Sequence, residues 1–275
     1  RQMLDADGAQ LEIYAVNSRE SLPVRLVTDA EGMPLRVTIE APGRDLRIRI
    51  WRADVGRVPL YLLDSDDPLN SPFDRGITAT LYPGDPEARL MQESVLGIGG
   101  WRALEALGLE VEVCHLNEGH AALATIERAR CFAAANDCDF FTALWATRAG
   151  NVFTTHTPVA AAFDTFTLPL MLKYGRDYAR RCGIAPEELA GLGRANPDDR
   201  REPFNMAYLA ARCCARTNGV SELHGRVSRR IFAPLFPRWP EHEVPVQHVT
   251  NGVHVPSWDS PWADRLWTEA CGKER

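Results

Sequence analysis

From residue 88 onward, short apolar runs typical of β-strands alternate with segments of helical periodicity. The strand-like runs cover residues 111–116, 152–155, 217–220 and 246–250. The helical segments cover residues 88–107, 121–132, 137–148, 168–182, 186–192, 204–216 and 222–231, with Asp137 and Ser221 as predicted caps. Strands separated by helices pair in parallel through right-handed crossovers. The alternation therefore predicts an α/β fold in which helices flank a Rossmann-like parallel sheet.

A β-rich region precedes this alternation. Its apolar or alternating runs, separated by Gly and Asp turns, cover residues 24–27, 35–39, 46–51 and 58–63 within a β segment from residue 11 to about 64. Arg47 and Arg49 share one face of the third run, so this strand should be half-exposed. We expect a β-rich edge on the amino-terminal side of the parallel sheet.

These segments divide the chain into three parts. Residues 1–87 are predicted to form the β-rich edge and an active-site loop, and residues 88–258 the Rossmann-like core. Residues 259–275 are expected to begin a segment that leads to a further domain. Because the chain starts at Arg1 without a methionine and ends just after an aromatic-rich stretch, we expect a partial domain of a longer protein.

Polar residues follow two of the predicted strands. Glu118, Gly119 and His120 come after the run at 111–116, and His156 follows the run at 152–155. In open α/β sheets, ligands bind outside the carboxyl ends of the strands. Imidazole and hydroxyl groups at such turns make neutral hydrogen bonds, which suits a polyhydroxylated ligand such as a sugar. The site is therefore predicted at this edge.

Three other interpretations concern these histidines or a glycine run before them. His115, Glu118, His120 and His156 are potential metal ligands, but their spacing matches no two-histidine helix motif, so metal binding remains an alternative. His115 lies inside the predicted strand and is interpreted as a core histidine. The Gly97-x-Gly99-Gly100 run lies in a helical pattern and follows no strand, so it fails the context of a dinucleotide fingerprint.

Two further features allow more than one interpretation. Residues 64–86 form a long loop rich in Asp, Pro and Gly, which is either functional or a solvated connection. Trp258, Trp262 and Trp267 form an aromatic cluster that favours a domain-packing surface over a binding platform.

Composition excludes several classes of protein. The net charge of −6 and the absence of a basic cluster argue against a nucleic-acid partner. The longest apolar runs, such as residues 58–63, are too short to span a bilayer. Seven scattered cysteines without a CxxC pair favour reduced thiols over a disulfide framework, and hence a cytoplasmic protein.

Nine segments carry a resemblance to a known family. They are LDADGAQ at 4–10, YLLDSD at 61–66, DRGITATLYPGD at 74–85, RLMQESVLGIGG at 89–100, HLNEGHAA at 115–122, VFTTHTPV at 152–159, FNMAYLA at 204–210, TNGVSELHG at 217–225 and HVTNGVHVPSW at 248–258. Together they resemble, in order, the α-glucan (glycogen, starch and maltodextrin) phosphorylases, in the shorter bacterial and archaeal branch.

The resemblance implies a two-domain glycosyltransferase of the GT-B type with a cleft between two Rossmann-like domains. Pyridoxal phosphate would be a Schiff base in the second domain, so this chain, matching the first, should hold no cofactor-binding residue. No metal is expected either, because His115, His120 and His156 do not fit a ligand set. Its lysines, Lys173 and Lys273, lie in contexts that do not fit the cofactor lysine. The implied partners are an α-1,4-glucan and inorganic phosphate, and a homo-oligomer is left open.

The family motifs also imply individual roles. His156 matches the catalytic-site histidine that contacts the glucosyl unit, mainly its 6-hydroxyl. Glu118 and His120 match the acidic residue and the histidine that line the sugar pocket. The loop at 66–74 matches a mobile gate, with Asp67 and Asn70 as its substrate contacts. After HTPV the branch commonly reads PAGHD, whereas residues 160–164 read AAAFD.

The implied function is reversible phosphorolysis of α-1,4-glucans, which releases glucose 1-phosphate. This chain would supply the glucan side of the cleft and be inactive alone. One alternative is a nucleotide-sugar glucan synthase of the same fold. The other is a non-catalytic glucan-binding fragment.

Overall fold

A computed structural model of the chain describes residues 2–12, 18–81 and 83–272. Its strands are β1 (Gln2–Leu4), β2 (Gln10–Glu12), β3 (Arg25–Leu26), β4 (Arg36–Ala41), β5 (Arg44–Val55), β6 (Val58–Asp64), β7 (Cys114–Asn117), β8 (Asn151–Thr154), β9 (Thr165–Phe166), β10 (Phe204–Asn205), β11 (Arg216–Gly219) and β12 (Val246–His248). Its α-helices are α1 (Pro72–Arg75), α2 (Pro86–Ser94), α3 (Gly100–Ala106), α4 (Leu123–Asn136), α5 (Phe140–Arg148), α6 (Leu168–Arg181), α7 (Pro186–Gly191), α8 (Met206–Cys213), α9 (Glu222–Phe232), α10 (Val255–Trp258) and α11 (Pro261–Cys271).

The parallel sheet has the strand order β12–β11–β8–β7, and every described pairing within it is parallel. The predicted α/β class, with a parallel sheet and flanking helices, is confirmed. β7 begins at Cys114, three residues later than predicted, because its neighbour β8 begins only at Asn151. Val113 therefore has no strand beside it and is exposed.

The predicted β-rich edge is also confirmed. β5 pairs in antiparallel register with β3, β4 and β6, and its Leu46, Ile48 and Ile50 side chains are completely buried. β1 and β2 form a separate antiparallel hairpin. Residues 13–17 of the predicted β segment lie outside the described residues, as does Tyr82 of the loop at 64–86.

A continuous helical unit connects the two sheets. α2 runs into one π-helical stretch, Val95–Gly99, and then into α3. A Cβ atom added at Gly99 would lie 3.0 Å from Ile39 of β4, and one at Gly97 would lie 2.6 Å from the Cβ atom of Leu123 in α4. These glycines thus permit close helix packing, and the glycine run is not a phosphate-binding turn.

The polar residues that begin α5 and α8 differ from the prediction. Asp137 does not cap α5; it ends α4 with φ 49°, and Asp139 caps α5 by accepting a hydrogen bond from Thr142 N (3.0 Å). Phe204 is extended in β10, so α8 begins after Asn205, whose Oδ1 accepts from Ala207 N (2.9 Å). In both places a short polar side chain with a free carbonyl oxygen fixes the start. The predicted cap Ser221 is confirmed, since its hydroxyl accepts from His224 N.

The surface carries the remaining predicted features. Trp258, Trp262 and Trp267 are exposed, as a partner surface or a binding platform would both require. None of the seven cysteines forms a disulfide. None of the helices within the described residues has the length and apolarity that crossing a bilayer requires.

Candidate functional site

The carboxyl ends of β7 and β8 lie side by side. Asn117 pairs with Thr154 in parallel register, and Glu118 N donates a hydrogen bond to Thr154 O (2.9 Å). The chain leaves both strands at the same edge of the sheet. The structure therefore brings together the two segments that the sequence predicted to meet, 118–120 and 155–158.

Glu118 joins these two segments through its carboxylate. Oε1 accepts hydrogen bonds from the backbone N–H groups of His156 and Thr157, and from the hydroxyls of Thr157 (3.2 Å) and Thr155 (3.4 Å). Oε2 accepts from Gly119 N (3.1 Å). The backbone of Glu118 has φ 73°, which is uncommon for a residue with a Cβ atom. Much of the carboxylate's acceptor capacity thus serves to position the loop at 155–157.

A second residue holds the same loop from the opposite side. His224 is buried in α9; its Nδ1 accepts from Val220 N (3.1 Å), and its Nε2 contacts Thr157 O (3.1 Å). Because Nδ1 accepts, Nε2 carries the proton and donates it to the Thr157 carbonyl. The sequence analysis did not single out His224. The only signal was its place one turn into a helix that follows a strand.

The His156 side chain is presented outward from this loop. Its ring is exposed, and Nε2 donates to Asn117 Oδ1 (2.8 Å) at the end of β7. This bond orients the ring across the strand ends and leaves Nδ1 for a hydrogen bond with a ligand. Backbone and side chain are both fixed, so His156 is the best-oriented exposed group at this edge.

His115 is not the core histidine that the sequence predicted. Its side chain is exposed, and its Nε2 lies 2.7 Å from Thr154 Oγ1, which in turn donates to Asn218 Oδ1 (3.0 Å). These bonds connect the ends of β7, β8 and β11. The prediction was wrong because only one face of β7 is covered: Leu116 is buried, whereas His115 and Asn117 on the other face are exposed.

A polar cavity of about 260 Å³ opens beside Glu118 and His120. Arg89 and Asp164 line it as well, joined by hydrogen bonds from Arg89 Nε to Oδ1 (3.1 Å) and from Nη2 to Oδ2 (2.8 Å). A Cβ atom at Gly119 would lie 2.9 Å from Ala207 N, so glycine is needed where this wall meets α8. The cavity is sized for a small polar group.

The charges around this cavity are set by burial and by one guanidinium. Burial, followed by the positive charge of Arg89, lowers the pKa of His120, so its imidazole is neutral near pH 7. Burial acts to raise the pKa of Asp164, but the hydrogen bonds from Arg89 and Glu93 hold that pKa below its ordinary value. The cavity thus offers a neutral imidazole beside a paired carboxylate.

Asp67 and Asn70 lie among residues of the β-rich edge. Asp67 is fully buried and accepts from Arg36 Nε (2.6 Å). Asn70 accepts from Arg47 N (2.9 Å) and donates to the backbone carbonyls of Arg47 (2.7 Å) and Ser65 (2.8 Å). Neither residue lines the cavity that contains His120. In this conformation their polar atoms attach the loop at 66–74 to the β-rich edge.

Lys173 is the lysine among the described residues. It lies on α6, and its Nζ is 2.6 Å from Glu87 Oε1 in a partly exposed ion pair. Lys273 lies outside the described residues. Within those residues, no three His, Cys, Asp or Glu side chains are arranged to hold a metal ion.

A larger cavity, about 620 Å³, is apolar and lies elsewhere. Leu62 of β6, Leu96 and Trp101 of the helical unit, and Leu116 of β7 are among its lining residues. His115 is the histidine among the described residues that line it. We choose the edge at β7 and β8 as the candidate site because its polar side chains are oriented by hydrogen bonds, although the apolar cavity has the larger volume.

Known proteins are similar in sequence to this chain along nearly its whole length. The chain is 44% identical to a glycogen phosphorylase of Mycobacterium tuberculosis (strain H37Rv), in an alignment that covers 100% of this chain and 33% of that protein. It is 38% identical to a maltodextrin phosphorylase of Thermococcus litoralis, over 94% of this chain and 30% of that protein. A glycogen phosphorylase of Aquifex aeolicus is 32% identical over 99% of this chain and 39% of its own length.

The chain is similar in sequence to glycogen and maltodextrin phosphorylases along nearly its whole length. It spans about a third of the length of the curated relatives it matches. No model of a protein family matches the sequence.

The run at 160–164, which departs from the common PAGHD, forms the 3₁₀ turn Ala160–Ala162 and then presents Asp164 to Arg89. The local departure therefore leaves a polar contact at the cavity.

Proposed function

We propose that this chain is part of an enzyme that catalyses reversible phosphorolysis of α-1,4-glucans to glucose 1-phosphate with retention. In this proposal the chain supplies the glucan side of the active-site cleft. The observation that carries it is the convergence of Glu118, His120 and His156 at the ends of β7 and β8, in a chain related to phosphorylases over its whole length.

The groups at this edge suit a neutral sugar. His156 offers an oriented imidazole nitrogen, and we assign it to the glucosyl unit, mainly to the 6-hydroxyl. His120, neutral beside the polar cavity, either donates to or accepts from a hydroxyl. Glu118 borders the same cavity while it holds the loop of His156 in place. The contribution of these residues to the reaction is positioning and electrostatic complementarity.

Asp67 and Asn70 are proposed to contact substrate only after their loop moves. Both are engaged with the β-rich edge in the described conformation. The gate at 66–74 must therefore break the Asp67–Arg36 contact, or part of the Asn70 bonds, before either side chain reaches a glucan. We keep the division of the chain at residues 87 and 258 as part of the same proposal.

The remaining components are proposed from the family. Pyridoxal phosphate would serve the complete enzyme from outside this chain, since the described residues do not fit its attachment. Inorganic phosphate and an α-1,4-glucan are the proposed substrates, in a cytoplasmic enzyme that uses no nucleic acid and no membrane. Self-association into a homo-oligomer is open to measurement.

A donor test separates this function from a nucleotide-sugar glucan synthase of the same fold. The full-length protein, loaded with pyridoxal phosphate, is incubated with maltoheptaose and inorganic phosphate. We expect glucose 1-phosphate to form without any nucleotide sugar, and the glucan to lengthen when glucose 1-phosphate is supplied instead. A strict requirement for a nucleotide sugar would refute the proposal.

A further inference from the structure

A buried glutamate lies behind the wall of the polar cavity. Glu93 is on α2, one turn after Arg89, and its side chain is 1% exposed. Neither of its carboxyl oxygens accepts a hydrogen bond from the described residues. An ionised carboxylate in such a place is costly, because burial removes water and no hydrogen bond from the described residues replaces it.

One guanidinium serves two carboxyl groups here. Arg89 Nε lies 3.0 Å from Glu93 Oε1, but its hydrogen bonds, from Nε and Nη2, go to Asp164. Asp164 in turn faces Glu93 closely enough for a hydrogen bond between the two carboxyl groups. Two neighbouring carboxyl groups that share one cation, one of them buried, cannot both ionise at low cost.

We propose that Glu93 is a neutral carboxylic acid that donates its proton to Asp164, and that this shared proton positions the Arg89–Asp164 pair in the wall of the cavity. That this wall belongs to a glucan site rests on the proposed function. The position of the proton does not depend on that function. Glu93 reaches no ligand and acts through Asp164 and Arg89, so it is a positioning residue.

The surrounding charges agree with this assignment. Burial, followed by the hydrogen bond and the negative charge of Asp164, raises the pKa of Glu93 to about 9. The described titratable groups around the pair are Arg89 on the same helix, Asp164 after the Ala160–Ala162 turn, and His120 on the turn after β7. With His120 and Glu93 neutral, the charges of Arg89 and Asp164 cancel each other.

The shared proton has a measurable effect on stability. Between the ordinary pKa of 4.5 and about 9, the folded chain holds a proton on Glu93 that the unfolded chain has lost. The folded state is therefore favoured at low pH, and its stability falls as pH rises through this window. The unfolding equilibrium constant should increase by up to about tenfold per pH unit from this residue alone.

The test compares urea unfolding of the chain at pH 7 and pH 8 with that of Glu93→Gln. The amide keeps the shape and the donor of the neutral acid but cannot lose a proton. We expect the unfolding constant of the unsubstituted chain to rise about tenfold more over this interval than that of Glu93→Gln. Glu87→Gln is the matched control: Glu87 lies on the same helix, and its hydrogen bonds from Lys173 and Tyr174 lower its pKa, so it is ionised throughout.

Equal pH dependence in the chain and in Glu93→Gln would overturn the proton assignment. If Glu93→Gln does not fold, Asp164→Asn replaces it: without the facing carboxylate, Arg89 pairs with Glu93, and the excess pH dependence should decrease, while the contribution of burial remains. An undiminished excess in Asp164→Asn would overturn the proposal equally.

The positioning role is tested separately in the full-length enzyme. Glu93→Ala should lower kcat/KM for phosphorolysis at least about tenfold, and Glu93→Gln should lose clearly less. Equal activity of Glu93→Ala and the unsubstituted enzyme would overturn the positioning role. If the unsubstituted enzyme has no phosphorolytic activity, the proposed function fails, while the pH comparison still decides where the proton lies.

Discussion

At the scale of single residues, Glu118 shows how one side chain organises the candidate site. Its φ of 73° has a cost of about 1–3 kcal/mol for a residue with a Cβ atom. The bonds that its carboxylate accepts from the loop at 155–157 offset that cost. The sequence predicted that Glu118 lies at the sugar pocket, but not that it fixes the backbone of His156.

Replacement of Glu118 by glutamine tests this positioning role. The amide keeps one acceptor oxygen, but its NH₂ group would face either the Gly119 N–H or the donors of the 155–157 loop. Hydrogen bonds to a charged acceptor contribute about 1.5–3 kcal/mol, so we expect Glu118→Gln to lower the free energy of unfolding by about 2 kcal/mol. Urea unfolding measures this loss, and hydrogen exchange should accelerate at the Thr157 amide.

Glu112→Gln is the matched control for this substitution. Glu112 lies just before β7, and its side chain is exposed. It should leave both stability and exchange at Thr157 nearly unchanged. Unaltered exchange at Thr157 in Glu118→Gln would mean that the carboxylate does not hold the loop.

At the scale of elements, close packing of the helical unit against α4 depends on one glycine. A Cβ atom at Gly97 would lie 2.6 Å from Leu123 Cβ and 2.8 Å from Ala124 N, and neither neighbour can move without shifting α4. Overpacking of this kind typically costs about 1–3 kcal/mol. We therefore expect Gly97→Ala to lower the free energy of unfolding by at least about 1 kcal/mol in chemical denaturation.

Gly100→Ala provides the opposite expectation in the same unit. Its added Cβ atom would lie 3.7 Å from Leu63 Cδ1, an ordinary contact, and alanine favours a helix over glycine by about 1 kcal/mol. This variant should be as stable as the original chain or more stable. A destabilising Gly100→Ala together with a neutral Gly97→Ala would contradict the packing described here.

The existence of most elements could be predicted from the sequence, whereas their exact starts could not. Periodicity identified the strands of both sheets and the helices between them. Boundaries depend on partners: β7 starts where β8 can pair with it, and α5 is capped by Asp139 rather than by Asp137. From the sequence alone, Asp137 and Asp139 are equivalent candidates for the cap of α5, because the choice depends on where α4 ends.

At the scale of the whole molecule, the site combines parts that sequence proximity could bring together with parts that it could not. Two strand ends with polar residues predicted where Glu118 and His156 meet. The pairing of Arg89 with Asp164, 75 residues apart, depends on how α2 packs beside the turn at 160–162. Local patterns contain no information on that packing. For the same reason they could not show that the face of β7 with His115 is exposed.

The most direct test of the site assignment compares His156→Ala and His115→Ala in the full-length enzyme. His156 presents an oriented ring at the strand ends, so its loss should lower kcat/KM for maltoheptaose phosphorolysis by about 10²-fold, roughly 2.7 kcal/mol. His115 contributes one exposed hydrogen bond to Thr154, and its loss should change kcat/KM less than about threefold. A large loss in His115→Ala with near-normal activity in His156→Ala would contradict the assignment of the site.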